Sequence, residues 1–346
     1  MSGPALESIP STSLVAVTRA RDEGWRFPFW LAYHRWLGID HFVVIDNRSV
    51  DETANLLSVE VDVTLLHAPG DYASLGYVHW IGSVLAAAPP ERWNLMLDVD
   101  ELFVPTPWQR DGLREAVKQL EAQDADVVPA LMVDCYPPRF PIPDEAVSPV
   151  PWMRAPLFDR GPYAYWSRRR RRPHLMYRGV RERLFWPQRY WQKLLPKAIK
   201  RKFKIAKAPY IIKAPLFRQG PSRGVWDHEA AFPTARRARQ LAYILHYKFD
   251  VDFYRKVTLA LKERQYFMGS AQYDAYQTLP KNGVVLEVPR SRRFTGLRSL
   301  IEAGLCWGVP VSAEAKKAIA EAPDSEQAWD EIRTFMSRPR PESADR

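Results

Sequence analysis

The sequence predicts an α/β protein with a mainly parallel central sheet flanked by helices. Apolar runs of strand length alternate with helical segments through the first hundred residues, and this order is typical of parallel sheets with crossover helices. A hydrophobic content of 46% with 12% aromatic residues is enough for a sizeable core. Polar residues also follow several of the predicted strands, as they do where α/β sheets bind ligands.

The first elements are predicted by local pattern. Residues 14–18 form an apolar run that predicts a strand, and residues 27–37 carry aromatic and apolar side chains on one helical face. Gly38 is a typical residue for the end of that helix. The other predicted elements are a strand over 41–45, a helix beginning near 52, a strand over 61–66, a helix over 75–87, a strand over 94–97, a helix over 113–123, a strand over 125–133, ordered segments over 210–217 and 241–249, and helices over 252–267 and 312–336.

The chain divides by composition into three predicted parts. Residues 14–290 are expected to form the main domain, with a basic, proline-rich insertion at about 137–209. Residues 291–336 are expected to form a C-terminal helical extension, and 337–346 a disordered tail.

Cysteine content and hydropathy exclude several classes. Only two cysteines, Cys135 and Cys306, are present, too few for a disulfide scaffold or a zinc cluster. Residues 1–13 lack the basic and apolar regions of a signal peptide, and no charge-free apolar run is long enough to span a bilayer. We therefore expect a cytoplasmic protein, either free or peripheral on the inner face of the membrane.

Positive charge is concentrated in one segment. Between Arg168 and Lys207 there are sixteen Lys or Arg residues and a single acid, Glu182. The net charge of this segment is therefore +15, whereas the net charge of the whole chain is +10. Cations interleaved with Trp, Leu and Phe favour an anionic membrane surface or a glycolipid acceptor. Nucleic acid is less favoured because no nucleic-acid motif accompanies the charge, and a solvated basic face is the remaining alternative. The residues proposed for this surface are Arg168, Arg169, Arg170, Arg171, Arg172, Trp191, Lys200 and Lys202.

An acidic cluster follows the predicted strand at 94–97. Asp98 and Asp100 are two residues apart, and the period of two in a strand would aim both carboxylates the same way. Carboxylate oxygens suit Mg²⁺ or Mn²⁺, and such cations commonly also bind substrate phosphates. A solvated acidic turn is the alternative interpretation.

Other strand ends carry polar residues as well. Thr18, Asp46 and Asp98 all lie where a predicted parallel strand ends, which is the ligand-binding edge of such sheets. Asp46 and Asn47 could hydrogen-bond a base or ribose, or they could form an Asx-type turn before the next helix.

Ordered motifs resemble the bacterial family 2-like glycosyltransferases, which have a GT-A fold. The motifs are Arg21-Asp-Glu23, Trp30-Leu-Ala-Tyr-His-Arg35, Asp46-Asn-Arg-Ser-Val-Asp51, Leu97-Asp-Val-Asp-Glu-Leu-Phe103, Tyr177-Arg-Gly-Val-Arg181, Lys213-Ala-Pro-Leu-Phe-Arg218 and Leu245-His-Tyr-Lys-Phe249. The resemblance implies a metal-dependent hexosyltransferase that moves a sugar from a nucleotide-diphosphate donor to a cell-surface glycan or lipid-linked acceptor, with inversion. It departs from the family at Asp22, where asparagine is usual.

The resemblance also implies roles for individual residues. Asp100 would bind Mn²⁺ or Mg²⁺, and Asp98 would bind the metal or ribose hydroxyls. His228 would supply a third metal ligand or a diphosphate contact, with His246 as the alternative. The residues expected to bind the nucleotide-sugar are Thr18, Arg19, Glu23, Asp46, Asn47 and Asp98.

An inverting transfer needs a general base near the acceptor hydroxyl. Asp134, at the end of the strand over 125–133, and Glu101, beside the metal pair, are the candidates. Asp134 is preferred because it lies at the ligand edge, although it could instead cap the turn at Pro137.

A second class of function competes with the enzyme. The chain could be a non-catalytic GT-A-like scaffold that holds anionic lipid or nucleic acid through its basic segment. The presence of both Asp98 and Asp100 favours the enzyme, because a scaffold does not require them.

Overall fold

The computed structural model describes most of the chain as one set of strands and helices. The residues it describes are 5–68, 72–143, 148–167, 172–175, 179–185, 211–220, 235–265, 267–307 and 311–336. The strands are β1 Val15–Ala20, β2 His41–Asp46, β3 Val63–His67, β4 Trp93–Met96, β5 Glu101–Val104, β6 Val127–Asp134, β7 Arg139–Phe140, β8 Leu157–Asp159, β9 Ala164–Ser167, β10 Arg172–Leu175, β11 Ile212–Arg218, β12 Ala242–His246, β13 Val284–Val285, β14 Ser291–Arg293 and β15 Cys306–Trp307.

Helices lie between and after these strands. They are a short 3₁₀ helix at Leu6–Ser8, α1 Phe27–Leu37, α2 Thr53–Ser58, α3 Tyr72–Ala86, α4 Gly112–Ala122, α5 Pro151–Arg154, α6 Val180–Phe185, α7 Phe253–Glu263, α8 Phe267–Tyr276, α9 Leu297–Glu302, α10 Ala313–Glu321 and α11 Ser325–Met336. The predicted α/β class is confirmed.

The central sheet has eight strands in the order β3-β2-β1-β4-β11-β6-β12-β5. Strands β1, β2, β3 and β4 pair in parallel, and β12 pairs in parallel with β6. Strand β11 runs antiparallel to both of its neighbours, and β5 runs antiparallel to β12 at the edge. The sheet is therefore mixed, with four of seven pairings parallel.

Helix α1 packs its aromatic face into the main core. Its predicted bounds are confirmed, and Gly38 ends it in the left-handed conformation at φ 102°, which glycine adopts at little steric cost. Trp30 and Tyr33 donate hydrogen bonds to the carbonyls of Glu101 (3.0 Å) and Phe103 (2.6 Å), so this helix fixes the position of β5.

The C-terminal helices join the same core. Ala328 and Ile332 of α11 are buried in it, and Trp36 of α1 donates a hydrogen bond to Glu331 at 2.7 Å. The predicted single helix over 312–336 is two helices, α10 and α11, separated around Pro323.

Two regions differ from the sequence expectation. Strand β5 was not predicted, because its pairing partner β12 lies about 140 residues away in the chain. The proline-rich insertion predicted at about 137–209, for which the sequence indicated no helix or strand, contains strands β7 to β10 and helices α5 and α6 among its described residues.

Candidate functional site

The carboxyl ends of β1, β2 and β4 meet at one edge of the sheet. Ala20 of β1 lies opposite Asp46 of β2, and Val17 lies opposite Met96 of β4. This register brings the turn after β4 beside the loops that follow β1 and β2. The predicted residues Thr18, Arg19, Asp46, Asn47 and Asp98 therefore share that edge.

Asp98 lies on the more open part of the edge. Its side chain is 33% exposed, and its carboxylate oxygens lie 3.2 Å from the guanidinium of Arg19 and 3.2 Å from Nζ of Lys213. These three side chains line a narrow cleft here. Asp98 thus has two cationic neighbours that could also contact an anionic ligand.

Asp100 lies on the more closed part of the same turn. Its side chain is 12% exposed, and Oδ2 lies 3.6 Å from Nε2 of His246 and 3.6 Å from Nζ of Lys248. The backbone N–H of Tyr247 donates to the Asp100 carbonyl at 2.8 Å, which holds the turn against the end of β12. Burial raises the pKa of Asp100, but Lys248 and His246 outweigh it and hold the pKa well below its usual range.

His246 is held between two carboxylates. Its Nδ1 lies 2.7 Å from Oδ1 of Asp134, while Oδ2 of Asp134 accepts from Nε of Arg181 at 2.7 Å. All three of these side chains are buried. Burial raises the pKa of Asp134, but Arg181 and His246 lower it overall, so this carboxyl is ionised and both of its oxygens are engaged.

Glu101 opens β5 beneath the turn and is buried. Oε1 accepts from Lys213 at 2.7 Å, and Oε2 accepts from the backbone N–H of Asp98 at 3.2 Å. Burial raises the pKa of Glu101, and the charge of Lys213 offsets this only in part. Lys213 therefore bridges Asp98 and Glu101.

Three side chains have a donor set that fits a divalent cation. One ligand atom from each of Asp100, Glu101 and His246 lies within 4.8 Å of the others. Two carboxylate oxygens and an imidazole nitrogen are acceptable ligands for Mn²⁺. Because Nδ1 of His246 is engaged by Asp134, Nε2 is the nitrogen that faces Asp100, and metal-binding histidines typically have this arrangement.

The residues after β2 form a turn. Asp46 accepts from the backbone N–H of Ser49 at 3.2 and 3.4 Å, so the predicted Asx-type turn is present. Asn47 is 7% exposed, and no hydrogen-bond donor within the described part of the chain reaches its Oδ1. A buried amide oxygen without a partner is costly, and a bound ligand could satisfy it.

Glu23 belongs to a buried ionic network rather than to the open edge. It accepts from Arg26 at 2.6 Å and pairs with Lys256 of α7. Asp252 accepts from Arg26 through both oxygens, at 2.8 and 2.7 Å. Asp250 in turn binds Arg154 at 3.0 and 2.8 Å.

Several site residues were not identified from the sequence. Lys213, Lys248, Lys256 and Arg181 surround the acidic turn, yet each comes from an element distant in the chain. Lys213 in β11 and Lys248 after β12 stand out locally because apolar residues flank them, but nothing local links either lysine to the acidic turn.

Some predicted residues lie outside the described part of the chain. These are His228, Arg168, Arg169, Arg170, Arg171, Trp191, Lys200 and Lys202. Arg172 begins β10, and the position of its side chain is likewise outside the description. Of the two histidines considered as metal ligands, His246 lies at the acidic turn, and His228 is among the residues outside the described ranges.

Comparisons with known proteins identify no family. No protein-family model matches the chain, and no curated protein matches it in sequence. Among solved structures, it is similar to TarS of S. aureus, with 14% sequence identity and a TM-score of 0.28 over 36% of this chain and 22% of that one. It is also similar to glucosyl-3-phosphoglycerate synthase from Mycobacterium tuberculosis in complex with Mn²⁺ and UDP, with 13% identity and a TM-score of 0.26 over 35% of this chain and 44% of that one. A third similar structure is a 4-diphosphocytidyl-2C-methyl-D-erythritol synthase, with 13% identity and a TM-score of 0.27 over 36% of this chain and 63% of that one. The chain spans less than two thirds of each of these structures, and overlaps of this size are too small to assign an activity.

No helix within the described residues combines the length and apolar composition needed to cross a bilayer.

Proposed function

We propose that this protein is a divalent-cation-dependent glycosyltransferase of the GT-A type, which transfers a sugar from a nucleotide-diphosphate donor to a glycan or lipid-linked acceptor. The observation that carries the proposal is the convergence of Asp100, Glu101 and His246 at the carboxyl edge of the sheet. The parallel order β3-β2-β1-β4 and the family-like motifs around these residues support it.

The open edge would bind the donor. Arg19 and Lys213 would contact the diphosphate, because both cations lie beside Asp98 in a cleft. The unpartnered Oδ1 of Asn47 would accept a hydrogen bond from the base or ribose. Thr18 and Asp46 would shape this edge, while Glu23 would hold the loop after β1 in position through Arg26.

Asp100, Glu101 and His246 would hold Mn²⁺ or Mg²⁺. The cation would neutralise negative charge that develops on the leaving diphosphate. Asp98, adjacent to the trio and more exposed, would contact the donor ribose or a cation-bound water.

Asp134 would position His246, and we favour this role over that of the general base. Both of its oxygens are engaged, and its pKa is lowered, so it is a weak base in this environment. Glu101 is likewise engaged, by Lys213 and by the Asp98 backbone. A general-base role for either residue stays a prediction, as does inversion at the anomeric carbon.

The basic segment would contact the acceptor or an anionic membrane surface. Its composition supports this assignment. Flotation with anionic vesicles tests it: neutralising Arg168 to Arg172 together should reduce flotation, and unchanged flotation would remove the assignment.

Calorimetry with UDP separates the enzyme from the non-catalytic scaffold. We expect wild-type protein to bind UDP with Mn²⁺ and to lose most of this affinity without it. Asp100→Asn should abolish the dependence on Mn²⁺, whereas the surface variant Asp330→Asn on α11 is the matched control. UDP binding that is absent under all conditions would favour the scaffold. A panel of nucleotide-sugars, scored for hydrolysis, would then identify the donor.

A further inference from the structure

A second cleft lies on the other side of Asp100, towards α7 and α8. Arg26, Lys248 and Lys256 line it together with Asp100 and Tyr273. It shares no residue with the cleft formed by Arg19, Asp98 and Lys213. The acidic turn therefore separates two distinct sites, each bordered by cations.

The second cleft contains hydrogen-bond donors that the protein leaves unused. Nε of Arg26 is buried, and no acceptor in the described segments reaches it. The described contacts of the Lys248 ammonium are the Asp100 carboxylate at 3.6 Å and the ring of Tyr273 at 5.4 Å, both longer than a hydrogen bond. An oxygen-rich anion in the cleft would satisfy both donors.

The charges around this cleft are balanced as long as Asp100 pairs with Lys248. Glu23 and Asp252 bind Arg26 and Lys256, whereas among the described residues Asp100 is the one carboxylate paired with Lys248. A divalent cation on Asp100 would leave Lys248 without that counter-charge. Cation binding and anion binding at this point should therefore strengthen each other.

A neighbouring cleft continues the cationic one past Asp100. A larger cleft lined by Trp25, Phe29 and Arg154 shares Arg26 and Asp100 with the cationic one. A molecule with its anionic group on Lys248 could thus extend past Asp100 along aromatic side chains. The donor edge lies on the opposite side of the turn, so this route is open to the acceptor.

We propose that Arg26, Lys248 and Lys256 form an oxyanion site that binds a phosphate group of the acceptor substrate. The oxyanion site itself stands on the cleft and its unused donors, while its assignment to the acceptor rests on the proposed function. The donor diphosphate is the other source of the same chemistry, and competition distinguishes the two.

Calorimetric titration of sulfate into the full chain, with UDP and Mn²⁺ at saturation, tests the site. Wild type should bind sulfate, and Lys248→Met should weaken binding by about tenfold or more, since a charge-assisted hydrogen bond is lost. Lys248→Arg should stay close to wild type, and Lys262→Met, an exposed lysine on α7, is the matched control. Sulfate should also raise the unfolding temperature of wild type and of Lys248→Arg.

Different negative results would overturn the oxyanion site, its assignment to the acceptor, or the proposed function. Equal sulfate affinity in wild type and Lys248→Met, or no sulfate-dependent rise in unfolding temperature, would remove the site. Displacement of sulfate by UDP would reassign it to the donor diphosphate. If UDP fails to bind with Mn²⁺, the proposed function fails, and the same titration without nucleotide still decides whether the oxyanion site exists.

Discussion

Asp98 and Asp100 are two residues apart, yet they lie in different environments. Asp98 is a third exposed and faces Arg19 and Lys213 across an open cleft. Asp100 is mostly buried and faces His246 and Lys248, beside the ionic network of α7. One short turn therefore presents one carboxylate to a ligand-accessible edge and another to a preorganised, charged interior.

The difference indicates a division of labour. A carboxylate can bind a cation tightly when the other ligand atoms beside it are already held in place by buried hydrogen-bond partners. An exposed carboxylate paired with long cations loses little when a ligand replaces those pairs. The closed side should thus dominate stability and metal affinity, and the open side should adjust nucleotide binding.

The closed side of the turn is the one with Asp100 and the ionic network of α7, and the open side is the one with Asp98, Arg19 and Lys213. The largest difference between substitutions on these two sides should be in the free energy of unfolding. Asp252→Asn should lower the free energy of unfolding by about 3–5 kcal/mol, because Arg26 and Lys256 would lose a buried counter-charge. Arg19→Gln on the open side should lower it by less than Asp252→Asn does, because its partner Asp98 is a third exposed and therefore screened by solvent. Urea denaturation of both variants measures the contrast, and equal effects would contradict it.

The effect of Asp252→Asn on stability should also depend on pH. Burial raises the pKa of Asp252, but Lys256 and Arg26 outweigh it and lower the pKa overall. A lowered carboxyl pKa stabilises the fold fully above the unfolded value of about 3.9, and this contribution is lost as the pH falls through the folded value. The difference between wild type and Asp252→Asn should therefore shrink on acidification below about pH 5. A difference independent of pH would argue against the ion pairs.

The next largest difference should be in the Mn²⁺ affinity of variants at Asp100 and at Asp98. Asp100→Asn should weaken Mn²⁺ binding by about a hundredfold or more, since removing a ligand should cost at least as much as removing an outer partner. Asp98→Asn should weaken it by less than about tenfold, because Asp98 lies outside the trio of candidate ligands. Electron paramagnetic resonance of free Mn²⁺ gives both constants. The reverse ranking would exchange the roles of the two residues.

Substitution of Asp134 should have a smaller effect on Mn²⁺ affinity, and the result distinguishes a positioning role from a general-base role. Asp134→Asn should weaken Mn²⁺ binding by about 10- to 100-fold, because His246 would lose the partner that orients it. Circular dichroism should show that the variant keeps its fold. If Asp134 is instead the general base, Mn²⁺ affinity would be unchanged and turnover alone would fall.

The smallest effect is expected for Arg19. Arg19→Gln should weaken UDP binding by about three- to tenfold, because glutamine can still donate a neutral hydrogen bond to phosphate and only the contribution of the charge is lost. Because the Arg19–Asp98 pair meets solvent through Asp98, whose side chain is a third exposed, the loss should diminish as salt is added. Calorimetry at low and high ionic strength checks this, and a loss that is independent of salt would place Arg19 away from the phosphates.

Local patterns predicted much of the fold. Helix α1 was predicted with its observed bounds because its aromatic face and Gly38 are both local signals. Strands β1, β2 and β4 were predicted within a few residues for the same reason, and their shared edge followed from parallel pairing. Strand β5 was missed, since it depends on a pairing partner far along the chain.

The candidate site was predictable only in part. The acidic turn is visible in the sequence because its residues are consecutive. Lys213 and Lys248 become its partners through the antiparallel course of β11 and the return of β12, which no local pattern shows. Likewise, Asp134 was predicted at a strand end and His246 was considered as a metal ligand, but their contact depends on the parallel pairing of β6 and β12.

The position of a bound cation tests the central claim most directly. Crystals grown with Mn²⁺ and UDP, measured at an X-ray energy where manganese scatters anomalously, would locate the ion. The account predicts an anomalous peak at coordination distance from Asp100 and from Nε2 of His246. A peak bound by Asp98 without His246, or no peak at the turn between β4 and β5, would contradict it.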